Sequence, residues 1–291
     1  TDVPAAGVLA IQALHIMENF EPSEMTEAEW FAVTGQALGM ARGELRVLGT
    51  DTAAARATSK EYAGRLAAEI MAPAVIGAPD EAPDGAPAGL TEPLPVWDDR
   101  GDVEGGHTTH LSTADADGMV VSLTQTLGPN MGSKVVTPGL GFLYASTLGG
   151  YLGRVPGGFR ARSNICPFIV MKDGEIVLVL GGAGGGMIPP AVVHAITRVI
   201  DFGLDLPQAL AEPRVAASGD GFNAETAPGI GWTEAELAEM RSLGIDINAQ
   251  PRSGAFGRIH GIQYDAETGT WIGAADPDWE GSARGPVRVG G

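Results

Sequence analysis

The sequence has one cysteine, few lysines and few aromatic residues. Among its 291 residues are one Cys, three Lys and 6% aromatic residues. A single cysteine excludes an intramolecular disulfide and a zinc site built from several cysteines. The 36 acidic residues outnumber the 18 basic ones, and the net charge of −18 argues against nucleic-acid binding. No apolar run reaches the ~18 residues of a membrane span. We therefore expect a soluble protein without a membrane segment, and both a cytoplasmic and a periplasmic location stay open.

Three zones follow from the pattern of residue types. Hydrophobic residues make up 44% of the chain, enough for a substantial core. Residues 1–71 have apolar residues at helical spacing and are predicted to be helical scaffold. Residues 72–107 are rich in Pro, Ala, Gly and Asp, which predicts an extended, mobile linker. Residues 108–291 alternate hairpin signals with a few helices and predict a layered α+β domain.

Short-range signals place individual elements within these zones. A Thr followed three residues later by Glu forms a capping box that opens a helix. Three such pairs predict helices that reach about Leu48, Met71 and Leu243; they are Thr26–Glu29, Thr58–Glu61 and Thr233–Glu236. Another helix is predicted from about Ala191 to Phe202. Turn residues between β-rich runs predict hairpins at THLSTAD/MVVSLTQT, PFIVM/EIVLVL and HGIQYD/TWIGAAD.

The first candidate for chemistry is the run His107-Thr108-Thr109-His110, where the linker meets the first predicted strand. A hydroxyl is a weak nucleophile and needs a base. A Thr at the start of a chain can use its own α-amine, and an internal Thr gains one only when the preceding bond is cut. Thr pairs at strand starts are also ordinary structural features. The residues alone therefore leave both readings open.

The second candidate is the glycine-rich run 181–186, which follows a buried strand and precedes a helix. Backbone N–H groups near a helix start can hold an anion or an oxyanion. Nucleotide binding is the alternative. It is disfavoured because no Lys-Ser/Thr pair follows the glycines and no GxGxxG register leads to an acidic residue.

Taken together, the segments resemble the gamma-glutamyltransferase (gamma-glutamyltranspeptidase, glutathione hydrolase) family of N-terminal-nucleophile hydrolases. The resemblance runs along nearly the whole chain. The segments that carry it are TDVPAAGVLAIQALHIMENF, SKEYAGRLAAEI, HTTHLSTADADGMVVSLTQT, PFIVMKDGEIVLVLGGAGGGMI and FGLDLPQALAEPRV. It implies an αββα sandwich and a precursor that cuts itself before a Thr.

Carried over residue by residue, the resemblance implies a self-cleavage site between His107 and Thr108. Thr108 would be the nucleophile, with its freed amine as the base. Thr126 matches a second Thr that hydrogen-bonds near the nucleophile. The backbone N–H groups of Gly184 and Gly185 match the oxyanion hole. No cofactor and no metal is implied.

The acyl-binding residues match less well. Ser163 and Asn164 stand where the family has a Ser-Ser pair that binds the substrate carboxylate, and the Ser163 match is the firmer one. The family grips the α-amine of its substrate with acidic and amide residues, but residues 139–150 contain no carboxylate, and Gly128 replaces an Asn. A buried ammonium without a counter-charge is costly. We therefore expect altered acyl specificity, for a small amide with a carboxylate that Arg162 could bind; a solvated surface Arg162 is equally compatible.

Other candidates are weaker. His110 belongs to the Thr-Thr-His motif and is either catalytic or structural. His194 lies on an apolar helix and is predicted to be a core residue. Asp276 is predicted to lie in a turn and could be structural near the site. Cys166 is predicted to be a buried hydrophobe rather than a nucleophile. No carboxylate or second imidazole stands at ligand spacing from the remaining histidines, His15 and His260.

The resemblance also implies a longer precursor, whose N-terminal part supplies half of the sandwich. The chain is then either a fragment or the partner of a separate N-terminal chain, and self-cleavage would give a heterodimer of subunits. Three functions remain: a self-processing amidohydrolase or acyltransferase with altered specificity, a true gamma-glutamyl transferase, and a non-catalytic fragment or subunit. Thr1 as the nucleophile is a minor alternative, because it lacks the strand and glycine-loop context.

Overall fold

The computed structural model describes residues 5–45, 51–71, 106–129, 131–147, 163–218, 221–226, 231–251, 256–277, 279 and 281–285. Its helices are α1 (Gly7–Met17), α2 (Glu27–Leu45), α3 (Asp51–Ala57), α4 (Lys60–Met71), α5 (Ile188–Ile200), α6 (Leu206–Ala211) and α7 (Glu234–Ser242). Its strands are β1 (Gly106–Ala114), β2 (Val120–Pro129), β3 (Phe168–Lys172), β4 (Glu175–Ala183), β5 (Val215–Ser218), β6 (Gly221–Thr226), β7 (Ile247–Pro251), β8 (Arg258–Asp265) and β9 (Thr270–Ala275). Most of the predicted linker, residues 72–105, lies outside the described residues, and its last two residues already belong to β1.

Two of the three predicted capping boxes are confirmed. The Thr26 N–H donates to Glu29 Oε2 at 2.9 Å, and the Glu29 N–H donates to Thr26 Oγ1 at 3.2 Å. The Thr233 box at the start of α7 has the same two bonds.

The Thr58 box is wrong. The Thr58 hydroxyl donates to the Ala54 carbonyl at 2.9 Å, in the last turn of α3. Ser59 caps α4 instead, accepting a hydrogen bond from the Tyr62 N–H at 3.2 Å. Because α3 ends at Ala57, directly before Thr58, the Thr58 side chain completes α3 rather than opening α4.

The strands form three sheets. β1 and β2 pair with each other, β3-β4-β8-β9 form an antiparallel sheet, and β5-β6-β7 form a third sheet with a parallel β6–β7 pair. The three predicted hairpins are confirmed as β1–β2, β3–β4 and β8–β9. The β5-β6-β7 sheet was not predicted.

The β1–β2 hairpin and the helices lie on opposite faces of the four-stranded sheet. On one face of β4, Leu178 and Leu180 join the core formed with α5. On the other face, the Ser122 hydroxyl of β2 donates to the Leu180 carbonyl at 3.0 Å. The outer face of the hairpin carries Leu111 opposite Leu123, and both are about 40% exposed. The described residues thus supply one helix layer and two sheet layers of an αββα sandwich.

The N-terminal helices share their hydrophobic core with the strand region. Side chains of α1, α2 and α4 belong to the same buried cluster as those of β4, β8 and α5. A second buried cluster lies between α2, α7 and β5-β6-β7, where Phe31 makes edge-on contacts with Phe222 and Trp232. Within the described residues, no helix combines the length and apolarity that crossing a membrane requires.

Candidate active site

Thr108 and Thr126 lie opposite each other on the β1–β2 hairpin. The Thr108 hydroxyl donates a hydrogen bond to Thr126 Oγ1 at 3.0 Å. The Gly128 N–H donates to the same Thr126 oxygen at 3.0 Å, which holds this oxygen in place. Both threonines are half-buried. The structure therefore brings the predicted nucleophile and its predicted partner into contact.

The inner face of the hairpin continues as a polar layer between the two sheets. The His110 ring lies 2.7 Å from Thr124 Oγ1 through Nδ1 and 2.9 Å from Ser112 Oγ through Nε2. The His260 Nδ1 of β8 lies 3.2 Å from the His110 carbonyl oxygen and ties the two sheets together. Burial, and then the charge of His260, lowers the pKa of His110 from 6.5 to about 4. His110 is therefore neutral at pH 7 and its ring is engaged by two hydroxyl groups, which favours the structural reading.

We expect stability to fall on acidification because of His110. Its pKa is lowered on folding, so the unfolded chain binds a proton below about pH 6.5, which the folded chain takes up only near pH 4. The stabilising effect of the neutral ring is complete above pH 6.5 and is lost as the pH falls towards 4. Urea unfolding at pH 7.5, 6 and 5 should show a smaller loss for His110→Gln than for the wild type. Equal losses in the two proteins would contradict the assignment, since their carboxylates titrate alike.

The glycine-rich loop adopts backbone conformations that favour glycine. It connects β4 to a 3-10 turn (Gly185–Met187) that leads into α5. Gly184 has φ 126° and Gly185 has φ 56°. A Cβ atom on Gly184 would lie 2.8 Å from the Gly257 Cα, whereas one on Gly185 would meet no described atom within 4 Å. Among the described residues, the loop is thus closely packed at Gly184 and open at Gly185.

A Gly184→Ala substitution should destabilise the protein by at least about 2 kcal/mol, because backbone strain adds to a steric overlap. Gly174→Ala is the matched control. Gly174 also has a positive φ, 88°, but its Cβ position is open, so this substitution should cost only about 1 kcal/mol of strain. Denaturant unfolding of both variants measures the two losses of stability. The loss should be larger for Gly184→Ala, because Gly257 lies close to Gly184 and no described atom lies close to the Cβ position of Gly174.

A buried ion pair holds the residues beneath the glycine loop. Arg214 Nη2 lies 3.0 Å from Asp276 Oδ1, and the two side chains are 2% and 0% exposed. Arg214 Nη1 donates to the Gly257 carbonyl at 2.7 Å, and the Ile259 N–H donates to Asp276 Oδ2 at 2.6 Å. Gly257 packs against Gly184, so the ion pair supports the loop from below. No role was predicted for Arg214, whereas for Asp276 the sequence left open a structural place near the site as well as a turn.

The predicted acyl-binding residues are only partly described. Ser163 Oγ accepts a hydrogen bond from the Ile165 N–H at 3.2 Å, and the Ser163 carbonyl accepts one from Ala6 at 2.9 Å. The Asn164 amide nitrogen lies near Gly186, 3.9 Å from the position of a Cβ atom there. Arg162 lies outside the described residues. Arg42 of α2, which sequence reasoning missed, lies beside the same glycine, with its Nη2 3.7 Å from that Cβ position. No local sequence signal marks this approach, because it joins residues far apart in the chain.

The segment that lacks the expected acids forms an exposed arm. Val136 and Leu143 make a β-bridge, and the Tyr144 N–H donates to the Val135 carbonyl at 3.1 Å. Leu140 is 68% exposed and Phe142 and Tyr144 stack edge-on. The last three residues of 139–150 lie outside the described part. Over 139–147, the arm offers apolar side chains and no counter-charge for an ammonium.

The other candidates have structural surroundings. Cys166 is fully buried, and burial raises the pKa of its thiol to about 12, which is unfavourable for a nucleophile. His194 contacts the Val215 backbone inside the core, and burial lowers its pKa to about 3. His15 Nδ1 lies 2.9 Å from the Thr58 carbonyl. In the described ranges no group of His, Cys, Asp and Glu side chains could hold a metal ion.

Comparison with known proteins adds an independent line of evidence. The family model described as Gamma-glutamyltranspeptidase matches residues 1–285. A glutathione hydrolase proenzyme of Bacillus subtilis is 30% identical over 188 residues, which are 62% of this chain and 31% of that protein. An acylase ACY 1 proenzyme of a Pseudomonas species is 31% identical over 194 residues, 65% of this chain and 33% of that protein. The chain spans about a third of the length of these relatives.

Solved structures agree with these matches. A gamma-glutamyltranspeptidase chain from Pseudomonas nitroreducens is 29% identical, with a TM-score of 0.51. The match covers 61% of this chain and 99% of that chain. A solved cephalosporin acylase from Bacillus halodurans, 24% identical, shares the fold as well, with a TM-score of 0.73 over 96% of this chain and 50% of that chain.

Proposed function

The chain belongs to the gamma-glutamyltranspeptidase family, and from this premise we propose that it is a self-processing amidohydrolase or acyltransferase with Thr108 as nucleophile. The observation that carries the proposal is the contact between Thr108 and Thr126 at the start of β1. The solved Pseudomonas nitroreducens chain supports it. The match covers 99% of that chain and 61% of this one. Residues 108–291 make up about the same share of this chain.

Self-processing would break the His107–Thr108 peptide bond. The Thr108 Oγ attacks the His107 carbonyl carbon, its proton passes to the departing Thr108 nitrogen, and an ester forms as the C–N bond breaks. Water then hydrolyses the ester and leaves a carboxylate on His107 and a free α-amine on Thr108. Gly106, His107 and Thr108 lie in one strand, and the β1–β2 register shifts between Gly106 and Thr108. The bond to be cut thus lies at an irregularity of the hairpin.

In the processed protein, the α-amine of Thr108 accepts the hydroxyl proton as Oγ attacks the substrate amide. The Gly184 and Gly185 N–H groups stabilise the oxyanion, in the loop that the Arg214–Asp276 pair supports. The Thr108 ammonium returns this proton to the substrate nitrogen, so that the amine leaves as the C–N bond breaks and the acyl group stays on Thr108 as an ester. Water or an acceptor amine then releases it, giving hydrolysis or transfer.

The acyl group is proposed to differ from an α-amino gamma-glutamyl group. The exposed arm offers no carboxylate over residues 139–147 to pair with an ammonium. The relatives include both glutathione hydrolases and acylases at about the same identity, so identity alone favours neither acyl group. True gamma-glutamyl transfer is the second candidate, because several relatives are glutathione hydrolases. Rapid release of aniline from a gamma-glutamyl anilide would favour it.

A further segment, in the same protein or in a separate chain, is proposed to complete the sandwich. The outer hairpin face exposes Leu111, Val121 and Leu123, and a two-stranded sheet alone is marginally stable. The relatives are proenzymes about three times as long as the matched segment.

The direct test of the proposal is the intact mass of the chain, alone and with a candidate N-terminal chain from the same source. We expect pieces of 107 and 184 residues, with Thr108 at the start of the second. A mass that stays at the full 29.9 kDa in every combination would instead support a non-catalytic subunit.

A further inference from the structure

The ring of His110 is seated on a glycine of the opposite sheet. A Cβ atom on Gly181 of β4 would lie 2.5 Å from both Nδ1 and Cε1 of His110, which is closer than side chains pack. Gly181 is not among the glycines with a positive φ. The close approach of the ring, and not the backbone conformation, therefore requires a glycine at this position.

Hydrogen bonds fix the ring in its seat. Its Nδ1 lies 2.7 Å from Thr124 Oγ1 and its Nε2 lies 2.9 Å from Ser112 Oγ, and His110 is only 5% exposed. In a neutral imidazole one nitrogen donates and the other accepts, and a hydroxyl group can do either. Both ring nitrogens are thus engaged, and the ring cannot rotate without losing a hydrogen bond.

The contact belongs to a clamp that holds the β1–β2 hairpin on the four-stranded sheet. Directly before Gly181, the Leu180 carbonyl accepts a hydrogen bond from the Ser122 hydroxyl of β2 at 3.0 Å. On the neighbouring strand β8, His260 Nδ1 lies 3.2 Å from the His110 carbonyl oxygen. The hairpin is therefore attached at His110 through both the side chain and the backbone.

Strand register connects this clamp to the proposed nucleophile. Thr108 and His110 are two residues apart in β1, so their side chains lie on the same face of the hairpin. On the other side of the contact, Gly181 lies in β4, three residues before Gly184. The seat of the His110 ring thus lies between the two parts of the proposed active site, the nucleophile and the oxyanion loop.

We propose that His110 is a positioning residue, whose ring on Gly181 sets the distance between the Thr108 hydroxyl and the proposed oxyanion loop. The inference rests on the proposed function. Because both of its nitrogens are engaged, the ring acts through its position and not as a base for Thr108. A displacement of about 1 Å at a reacting group can lower a rate about 100-fold. A change at the seat should therefore slow the reaction step more than it weakens substrate binding.

A double-mutant cycle tests the contact through the rate of self-cleavage. Gly181→Ala should lower this rate about 10–100-fold, because the added methyl group pushes the ring and the hairpin away from β4. In a His110→Ala background, which has space for that methyl group, the same substitution should change the rate less than about 3-fold. Intact mass followed over time measures all four rates.

Gly64→Ala is the matched control for the added methyl group. Gly64 lies in α4, also without a positive φ, and among the described atoms its Cβ would meet Asn19 Oδ1 alone, at 3.7 Å. This variant should cut itself at the wild-type rate.

Turnover separates positioning from a purely structural role. It is measured on the processed fraction of each variant, shown by denaturant unfolding to be folded, with gamma-glutamyl anilide or glutaryl anilide, whichever the wild type cleaves faster. In Gly181→Ala and in His110→Ala, kcat should fall about 10–100-fold while KM stays within about 3-fold of the wild type. His110→Gln, which keeps a hydrogen-bonding group, should retain more of kcat than His110→Ala.

The outcomes distinguish this inference from the proposed function. Variants that are less stable but cut themselves and turn over like the wild type would overturn the positioning role and leave the function standing. Equal effects of Gly181→Ala with and without the His110 ring would do the same. If Gly181→Ala does not fold, wild-type rates in His110→Ala and His110→Gln overturn the role. A wild-type protein that neither cuts itself nor cleaves either anilide overturns the function and the inference with it.

Discussion

Thr108→Ala should leave the chain uncut and lower amide turnover by at least about 10³-fold, because the substitution removes the oxygen proposed as the nucleophile of both reactions. The wild-type protein should separate into two pieces on a denaturing gel, and the variant should run as one band. Turnover of an amide substrate by the two preparations measures the second effect.

Thr109→Ala is the matched control. Thr109 is the next residue of β1 and its side chain is exposed on the opposite face of the hairpin. This variant should cut itself normally. A Thr108→Ala chain that is still cleaved after His107, or that keeps its activity, would exclude Thr108 as the nucleophile.

The Thr108–Thr126 contact can be tested separately from the nucleophile itself. Thr126→Val keeps the shape of the side chain but removes the acceptor of the Thr108 hydrogen bond. Self-cleavage should be slower, while Thr126→Ser, which keeps the hydroxyl, should stay close to the wild-type rate.

The second large effect is expected at the buried ion pair. Asp276→Ala should destabilise the protein by about 3–5 kcal/mol, because it leaves the Arg214 guanidinium buried without its counter-charge. It also removes the acceptor of the Ile259 N–H. Denaturant unfolding measures the loss of stability. Arg214 holds Gly257 next to the glycine loop, so the same substitution should also disturb the proposed oxyanion hole.

An exposed ion pair provides the comparison. In α7, Arg241 Nη1 lies 3.8 Å from Glu234 Oε2, and the Glu234 side chain is 87% exposed. Glu234→Ala should cost less than about 1 kcal/mol. If Asp276→Ala were no more destabilising than Glu234→Ala, the buried pair would not be the support of the loop that its geometry indicates.

Elements fixed by short-range interactions could be predicted from the sequence. Turn residues between β-rich runs predicted three hairpins, and the boxes at Thr26 and Thr233 predicted two helix starts. The Thr58 box failed for a reason that is also local. Helices α3 and α4 meet at Thr58 and Ser59, and the end of α3 decides which of these two residues caps α4.

Elements that join distant residues could not be predicted. The β5-β6-β7 sheet includes a parallel pair in which Phe222 lies opposite Ile247, with α7 between the two strands. A parallel pair requires such a crossover, and no turn motif marks it. The surroundings of the glycine loop are a second example. The sequence suggested Arg162 because it adjoins Ser163, whereas Arg42 reaches the glycine loop from a different helix.

By itself, the sequence determined the family, the hairpin that carries Thr108 and Thr126, the glycine run 181–186 and the loss of acidic residues from 139–150. These features depend on residue types at short spacing, which a sequence displays directly. The contact of the Arg214–Asp276 pair with the residues beneath the loop, and the position of Arg42 beside it, became visible in three dimensions alone. Such contacts arise when buried charges must find partners and helices pack on sheets, and the partners are brought together by the fold rather than by their order in the chain.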